Sequence, residues 1–265
     1  MPGTERTWGI RGSQQLAVTD LSHEILLPVW RSNLAALLMG MGRHQEALQY
    51  AEDSVDRHRL LARRDPRNFE SRLVSSLVTP GNILQQVGRS AEACDAMGQA
   101  VGIGEHRRRI GPADAGTELS LVLHILQLGV WQARSGSVAT LPEALRHALD
   151  LWYGFDLHRE VPKYQPRIAV LLSDAVALLC DDGRWQEALE PSMAAVEIWG
   201  GLVREDSLDH RSDFVEAYAA MRQVSLRLGP QPVPGNPAMA GLSRHLAEHL
   251  PYVLQVLDEA EAHRE

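Results

Sequence analysis

One phrase recurs along this chain at a nearly constant interval. Gly42-Arg43-His44-Gln45-Glu46-Ala47 returns as Gly88-Arg89-Ser90-Ala91-Glu92-Ala93 and again as Gly183-Arg184-Trp185-Gln186-Glu187-Ala188. A stretched copy runs from Gly136 to Glu143-Ala144, with three extra residues before the acid. Successive phrase glycines stand 46, 48 and 47 residues apart. Self-similarity at such a period marks one supersecondary unit stacked on copies of itself, because a single unit cannot bury its own apolar face.

The segments on both sides of each glycine read as helices. Leu34, Leu37, Leu38 and Met41 form one apolar stripe at helical spacing that stops at Gly42, a helix-ending residue. The equivalent segments are Leu73 to Val87, Leu119 to Ala133, Ile168 to Leu179 and Phe214 to Leu228. The last ends at Gly229 and suggests a fifth, degenerate unit. After the glycines, Ala47, Leu48, Ala51, Val55 and Leu61, and later Ala188, Leu189, Ala195, Trp199 and Val203, follow the i, i+3, i+4, i+7 pattern. Turn signals separate the units at Asp65 to Asn68, Gly111 to Asp114, Val161-Pro162 with Pro166, and Asp206 to Ser212. Each unit is therefore helix, tight glycine turn, helix. Two prolines break the local rules. Pro80 predicts a kink or break in the helix before Gly88, and Pro191 predicts a bend in the helix after Gly183.

Aligned on the turn glycine, the units share leucines and small residues at fixed places: Ala35, Leu38 and Ala47; Gly81, Leu84 and Ala93; Leu128-Gly129; Leu179, Ala188 and Ala195. This pattern resembles the tetratricopeptide repeat family, over roughly Leu26 to Leu228. The period exceeds the family's usual ~34 residues, as in its long-repeat bacterial, actinobacterial-like members. The resemblance implies an all-α fold: a right-handed superhelical array of antiparallel helix pairs, about four to five repeats, with a C-terminal capping helix.

It also implies where a ligand would lie. In that family the first helix of each pair lines a concave groove. The corresponding residues here are Asn33 with Ser32 and Ala36, then Thr79, Asn82 and Gln86. They continue with Gln127, Val130 and Arg134, then Ser173, Asp174, Ala177 and Asp181, and end at Gln223. Asn33 falls where family members often bond a ligand peptide's backbone. The carboxylate clamp of chaperone-binding members needs paired Lys or Arg with Asn across adjacent repeats. Lys163 is the only lysine here, and that set is absent, which disfavours a chaperone-tail adaptor.

The expected organisation is a leading segment 1–22, a repeat domain 23–229, a proline-rich linker 230–241 and a final helix 242–265. That last helix reads as an end cap, or as a segment folded back into the groove.

Composition narrows the function. A formal charge of −8 argues against a general nucleic-acid binder, which needs a basic face. No apolar run reaches the ~20 residues of a membrane span, and no signal peptide is visible. Cys94 and Cys180 are the only cysteines, too few for a disulfide framework, so a reducing cytoplasm is expected. Both read as small packing residues rather than nucleophiles.

His245-Leu246-Ala247-Glu248-His249 matches an inverted zinc-protease spacing, but a third ligand is lacking downstream, so neither a metal nor a cofactor is expected. His106 to Arg109 closes a helix C-terminus, where cations offset the dipole. The expectation is a non-enzymatic scaffold that binds a peptide or helix of a partner protein in the groove, with no nucleic acid and no membrane. Its oligomeric state is open, a homodimer included. If binding uses the acidic face with Asp174 and Asp181, a basic or polar partner segment is favoured. The alternative is a small-molecule-binding protein, a biosynthetic enzyme or sensor, using a pocket within the array.

Overall fold

The computed structural model describes residues 24–111, 114–155, 164–204 and 210–229. The leading segment, the proline-rich stretch and the expected C-terminal helix with its His245/His249 pair lie outside the described residues. Among the described residues there are nine α-helices and no strand. They are α1 (24–40), α2 (His44–Arg64), α3 (Pro66–Gln86), α4 (Ser90–Ile110), α5 (Ala115–Arg134), α6 (Leu141–Gly154), α7 (Gln165–Asp181), α8 (Trp185–Arg204) and α9 (Arg211–Leu228). A 3-10 turn, Val138–Thr140, absorbs the three residues that stretch the third phrase. The odd-numbered helices precede the turn glycines and are called A helices; the even-numbered ones follow and are called B helices. The fold is an all-α array of helical repeats.

The recurring phrase is a backbone device. Gly42, Gly88, Gly136 and Gly183 have φ between 75° and 98°, a region costly for any residue with a Cβ. Each closes an A helix with two crossed bonds. Arg43 N–H reaches Leu38 O at 2.9 Å while Gly42 N–H reaches Met39 O at 3.0 Å. The same pair of bonds recurs at Gly88, Gly136 and Gly183. This is the Schellman closure, which satisfies carbonyls the helix end leaves open. Gly229 also has positive φ, 69°, but closes α9 with one bond to Ser225 O, so the fifth unit keeps the stop signal without the phrase.

The rest of the phrase starts the B helix. Arg43 grips Glu46 through two nitrogens, as Arg89 does Glu92, and Arg184 contacts Glu187. These bonds hold the three glutamates below the usual carboxylate range. Ala47, Ala93 and Ala188 are fully buried one residue later. Connections this short between long packed helices force an antiparallel pair.

Several A helices begin earlier than their apolar periodicity suggests. The expected turn Asp65–Asn68 shrinks to Asp65 alone. Its carboxylate accepts from the Asn68 backbone N–H at 3.4 Å, and Pro66 occupies the first helical position. An N-cap acid followed by proline is a helix start, since proline's missing N–H would be unbonded there anyway. Asp114 caps α5 in the same way through Thr117 N–H at 2.8 Å. The expected break at Pro80 does not occur: α3 runs through it to Gln86, and the proline is buried. Likewise α8 continues past a buried Pro191 to Arg204. Each ring forfeits one helix bond, and burying it against neighbouring helices offsets that loss.

The chain divides into two compact units, Met1–His106 and Arg107–Glu265. In the first, Ala35, Leu38, Ala47, Ala51 and Ile83 form the core between α1, α2 and α3. The Ser54 hydroxyl donates to Pro28 O at 2.7 Å and ties α2 to α1. The α1 stripe does not behave as one buried face. Leu38 is 5% exposed, whereas Leu37 and Met41 are 67% and 68% exposed. Ala35 and Leu38 meet the core and Met39 packs against it, while Leu37 and Met41 face outward.

In the second unit, Leu126, Leu141, Trp152, Ile168, Leu172 and Phe214 are among the fully buried side chains. Gly129 lets α5 close on α6: a Cβ there would stand 3.1 Å from Ala144 Cβ and 3.2 Å from Leu141 Cδ1. Glu118, wholly buried in the first turn of α5, lies 3.4 Å from Arg108 Nε at the end of α4, so part of the basic run has a structural partner. Tryptophan use is mixed. Trp131, Trp152 and Trp199 are buried, while Trp30 is 57% exposed.

Candidate ligand-binding cleft

In the second unit, α7 packs Ile168, Ala169, Leu172, Ala175, Val176 and Leu179 inward. Helical periodicity then leaves Val170, Ser173, Asp174 and Ala177 on the other face. On α9, Phe214, Ala217 and Val224 are buried, and Asp213, Glu216 and Ala220 form the adjoining stripe. Between these A helices, with α8 behind, lies a cleft of about 330 Å³. Its depth comes from small side chains: Ala177, Ala195, Ala217 and Ala220 occupy positions where larger residues would fill it. Trp199 of α8 forms part of the wall. Its indole N–H donates to the Ser173 hydroxyl at 3.5 Å, and its ring lies 5.3 Å from that of His210.

The ionisable side chains lining the cleft are Asp174, Asp213 and Glu216, all acids. Two are partly engaged. Arg134 Nη2 of α5 donates to Asp174 Oδ2 at 2.9 Å, and His210 Nδ1 lies 3.6 Å from Asp213 Oδ2.

A second rung joins the same two A helices, α5 and α7. Arg167 Nη2 donates to Gln127 Oε1 at 2.9 Å. Beside it, His124 is pushed down to about 4 by burial and then by the Arg167 charge, so its imidazole is neutral near pH 7. Gln127, Arg134 and Asp174, chosen from sequence, therefore belong to two inter-helix rungs, and Asp174 also lines the cleft. Asp181 and Gln223 are exposed and lie outside the cleft lining.

Asn33, Thr79, Asn82 and Gln86 fall in the first unit. There Thr79 shares a hydrogen bond with Ser32 across α1 and α3 at 3.2 Å. Asn33 and Gln86 are exposed, and Asn82 is half-buried. Trp199, Asp213 and Glu216 were not singled out as site residues from sequence. Counting back from Gln223 by three, seven and ten positions reaches Ala220, Glu216 and Asp213, so the signal was one stripe extended toward the helix start.

Neither cysteine shows an activated thiol. Burial first, and Asp95 or Asp181 second, push the Cys94 and Cys180 thiols up. Among the described residues no group of three or more His, Cys, Asp or Glu is arranged to hold a metal ion. Among the same residues no helix is long and apolar enough to cross a membrane.

Residues 29–65, which span most of α1 and all of α2, match the model of the tetratricopeptide repeat family. That stretch reads as one tetratricopeptide repeat. Solved structures that share this chain's fold include two tetratricopeptide-like arrays. BtubC (BKLC) from P. vanneervenii superposes with a TM-score of 0.59 at 13% identity, covering 96% of this chain and 89% of that one. A kinesin-light-chain-type protein of Podosopora anserina with nearly identical TPR-like repeats gives a TM-score of 0.56 at 18% identity, covering 92% and 99%. At these identities the likeness concerns the fold of the repeats. No curated protein sequence matches this chain.

Proposed function

We propose that this chain is a protein-interaction module whose A-helix face in the second unit receives a segment of a partner protein. Tetratricopeptide-repeat folds generally mediate protein–protein interaction, and that general role is the starting point. The observation that carries the specific reading is the cleft between α7 and α9, which opens on the face that bears the Arg134–Asp174 and Arg167–Gln127 rungs. An extended peptide or a helix laid on such a face gains affinity by burying side chains in clefts and by bonding to polar rungs.

Site-specific photo-crosslinking tests this. A photoreactive residue at Ala220, in the cleft, should capture a protein from the native cell extract, and one at the exposed Glu143 of α6 should not. Equal capture from both positions, or none from Ala220, overturns the reading.

A further inference from the structure

We propose that the cleft between α7, α8 and α9 is a subsite for one cationic side chain, a guanidinium, with its alkyl stem against the alanines. The inference rests on the groove reading for the ligand being part of a protein, but the affinity of the cleft for a guanidinium is a property it has alone.

Three features of the walls select that chemistry. First, the charges are of one sign. Asp174, Asp213 and Glu216 approach from two different helices, and among the described residues the lining holds no lysine, arginine or histidine. Arg134 meets Asp174 from α5 and His210 stands 3.6 Å from Asp213, so a bound cation would share these two carboxylates and meet Glu216 beside them.

Second, the hydrogen-bonding capacity left over is mostly acceptor. The Ser192 hydroxyl proton goes to Leu189 O at 2.7 Å, and the Trp199 N–H goes to Ser173. An anionic or carbonyl-rich ligand finds little to donate to it, whereas a five-donor fork meets carboxylates on both sides. Third, an indole lines the same space, and tryptophan is the aromatic ring that attracts cations most strongly. The alanines accept three methylenes with no polar group to desolvate.

The chain's own C-terminal stretch suits the cleft poorly. Residues 242–265 carry Glu248, Asp258, Glu259, Glu261 and Glu265 against Arg244 and Arg264, a net charge of the same sign as the walls. Like charges brought together at low dielectric repel, so a basic segment from a partner is the favoured occupant.

The test uses the full chain and small probes. The Trp199 indole N–H resonance, assigned by Trp199→Phe, is followed during titration with N-acetyl-arginine-N-methylamide. Its neutral isostere, the citrulline derivative, and the glutamate derivative serve as controls. The arginine probe should give a saturable shift. Citrulline should bind at least tenfold more weakly, and glutamate should give no shift. Asp213→Asn with Glu216→Gln should weaken the arginine probe at least fivefold without moving the melting curve, since both side chains are partly solvated.

Equal binding of arginine and citrulline, or arginine binding untouched by the double substitution, overturns the inference. If Ala220 captures a protein but the arginine probe fails, the cation subsite falls and the groove reading stands. If the probe binds but nothing is captured, the reverse holds.

Discussion

Arg134 on α5 and Asp174 on α7 stand 40 residues apart in sequence, on the A helices of successive repeats, and their side chains meet at 2.9 Å. Arg167 and Gln127 meet across the same two helices at the same separation. Neighbouring A helices are thus held in register by polar rungs on the face proposed to bind ligand. Both partners of the first rung are more than a third exposed, so the pair is well screened. Replacing Arg134 with Gln should therefore cost less than about 0.5 kcal/mol, and the loss should vanish in high salt. Urea unfolding at two ionic strengths measures it. The same substitution frees Asp174 and should tighten the arginine probe.

The turn glycines differ from the helix glycines. Gly88 has φ of 79°, so Gly88→Ala should destabilise the chain by about 1 kcal/mol. Gly102 lies inside α4 with no atom within 4 Å of an added Cβ. Gly102→Ala should instead stabilise by roughly 0.5 kcal/mol or more, through a less flexible unfolded chain. Matched thermal melts of the two variants should move in opposite directions.

Close approach at Gly129 predicts the opposite of helix propensity. Gly129→Val places two methyl groups where one Cβ already meets Ala144 at 3.1 Å. A cost of about 2 kcal/mol is expected from overpacking. Pairing it with Ala144→Gly should recover part of that loss; no recovery would mean the strain lies elsewhere.

The buried imidazoles make stability depend on pH. His124 has its folded pKa depressed to about 4, below the ordinary histidine value, and burial then Arg72 lower that of His58. Below about pH 6.5 the unfolded chain binds protons that the folded His124 refuses, so stability falls as pH drops from about 6.5 to about 4. Integrated over that window, His124 contributes a loss of up to about 3 kcal/mol. His124→Gln should flatten the profile there, read by unfolding curves at successive pH values.

Tyr153 of α6 donates to Glu197 Oε2 of α8 at 2.8 Å, a bond between B helices of neighbouring repeats. Tyr153→Phe removes the donor and leaves the carboxylate without that partner. A loss of about 1–2 kcal/mol is expected in the same unfolding assay.

Much of the repeat plan was legible because its signals are local. A glycine at positive φ, an arginine three residues before a glutamate and a buried alanine are all read from one short phrase. Helix starts were read late because Asp65-Pro66 looks like a turn until the cap bond to Asn68 is seen. At Pro80 a break did not follow because the cost of a lost helix bond is visible in sequence, whereas the burial that offsets it depends on neighbouring helices. The α1 stripe misled for the same reason: Leu37 and Leu38 are equally apolar, and packing alone decides which is buried.

The cleft was only half legible. Asp174 lay on a stripe anchored by the phrase. Asp213 and Glu216 sit in the unit that has lost it, and Trp199 belongs to a B helix, outside the face the family resemblance points to.

The glycine closures carry a consequence for how such a chain changes over generations. Each of the first four repeats contains its own stop, its own restart and the alanine that seats the next helix. Helix length is thus decided within a unit rather than by its neighbours. A unit copied, lost or exchanged at those glycines brings its boundaries with it, and drift in the exposed A-helix residues leaves the punctuation intact. Ligand preference is free to diverge while the frame that displays it stays the same.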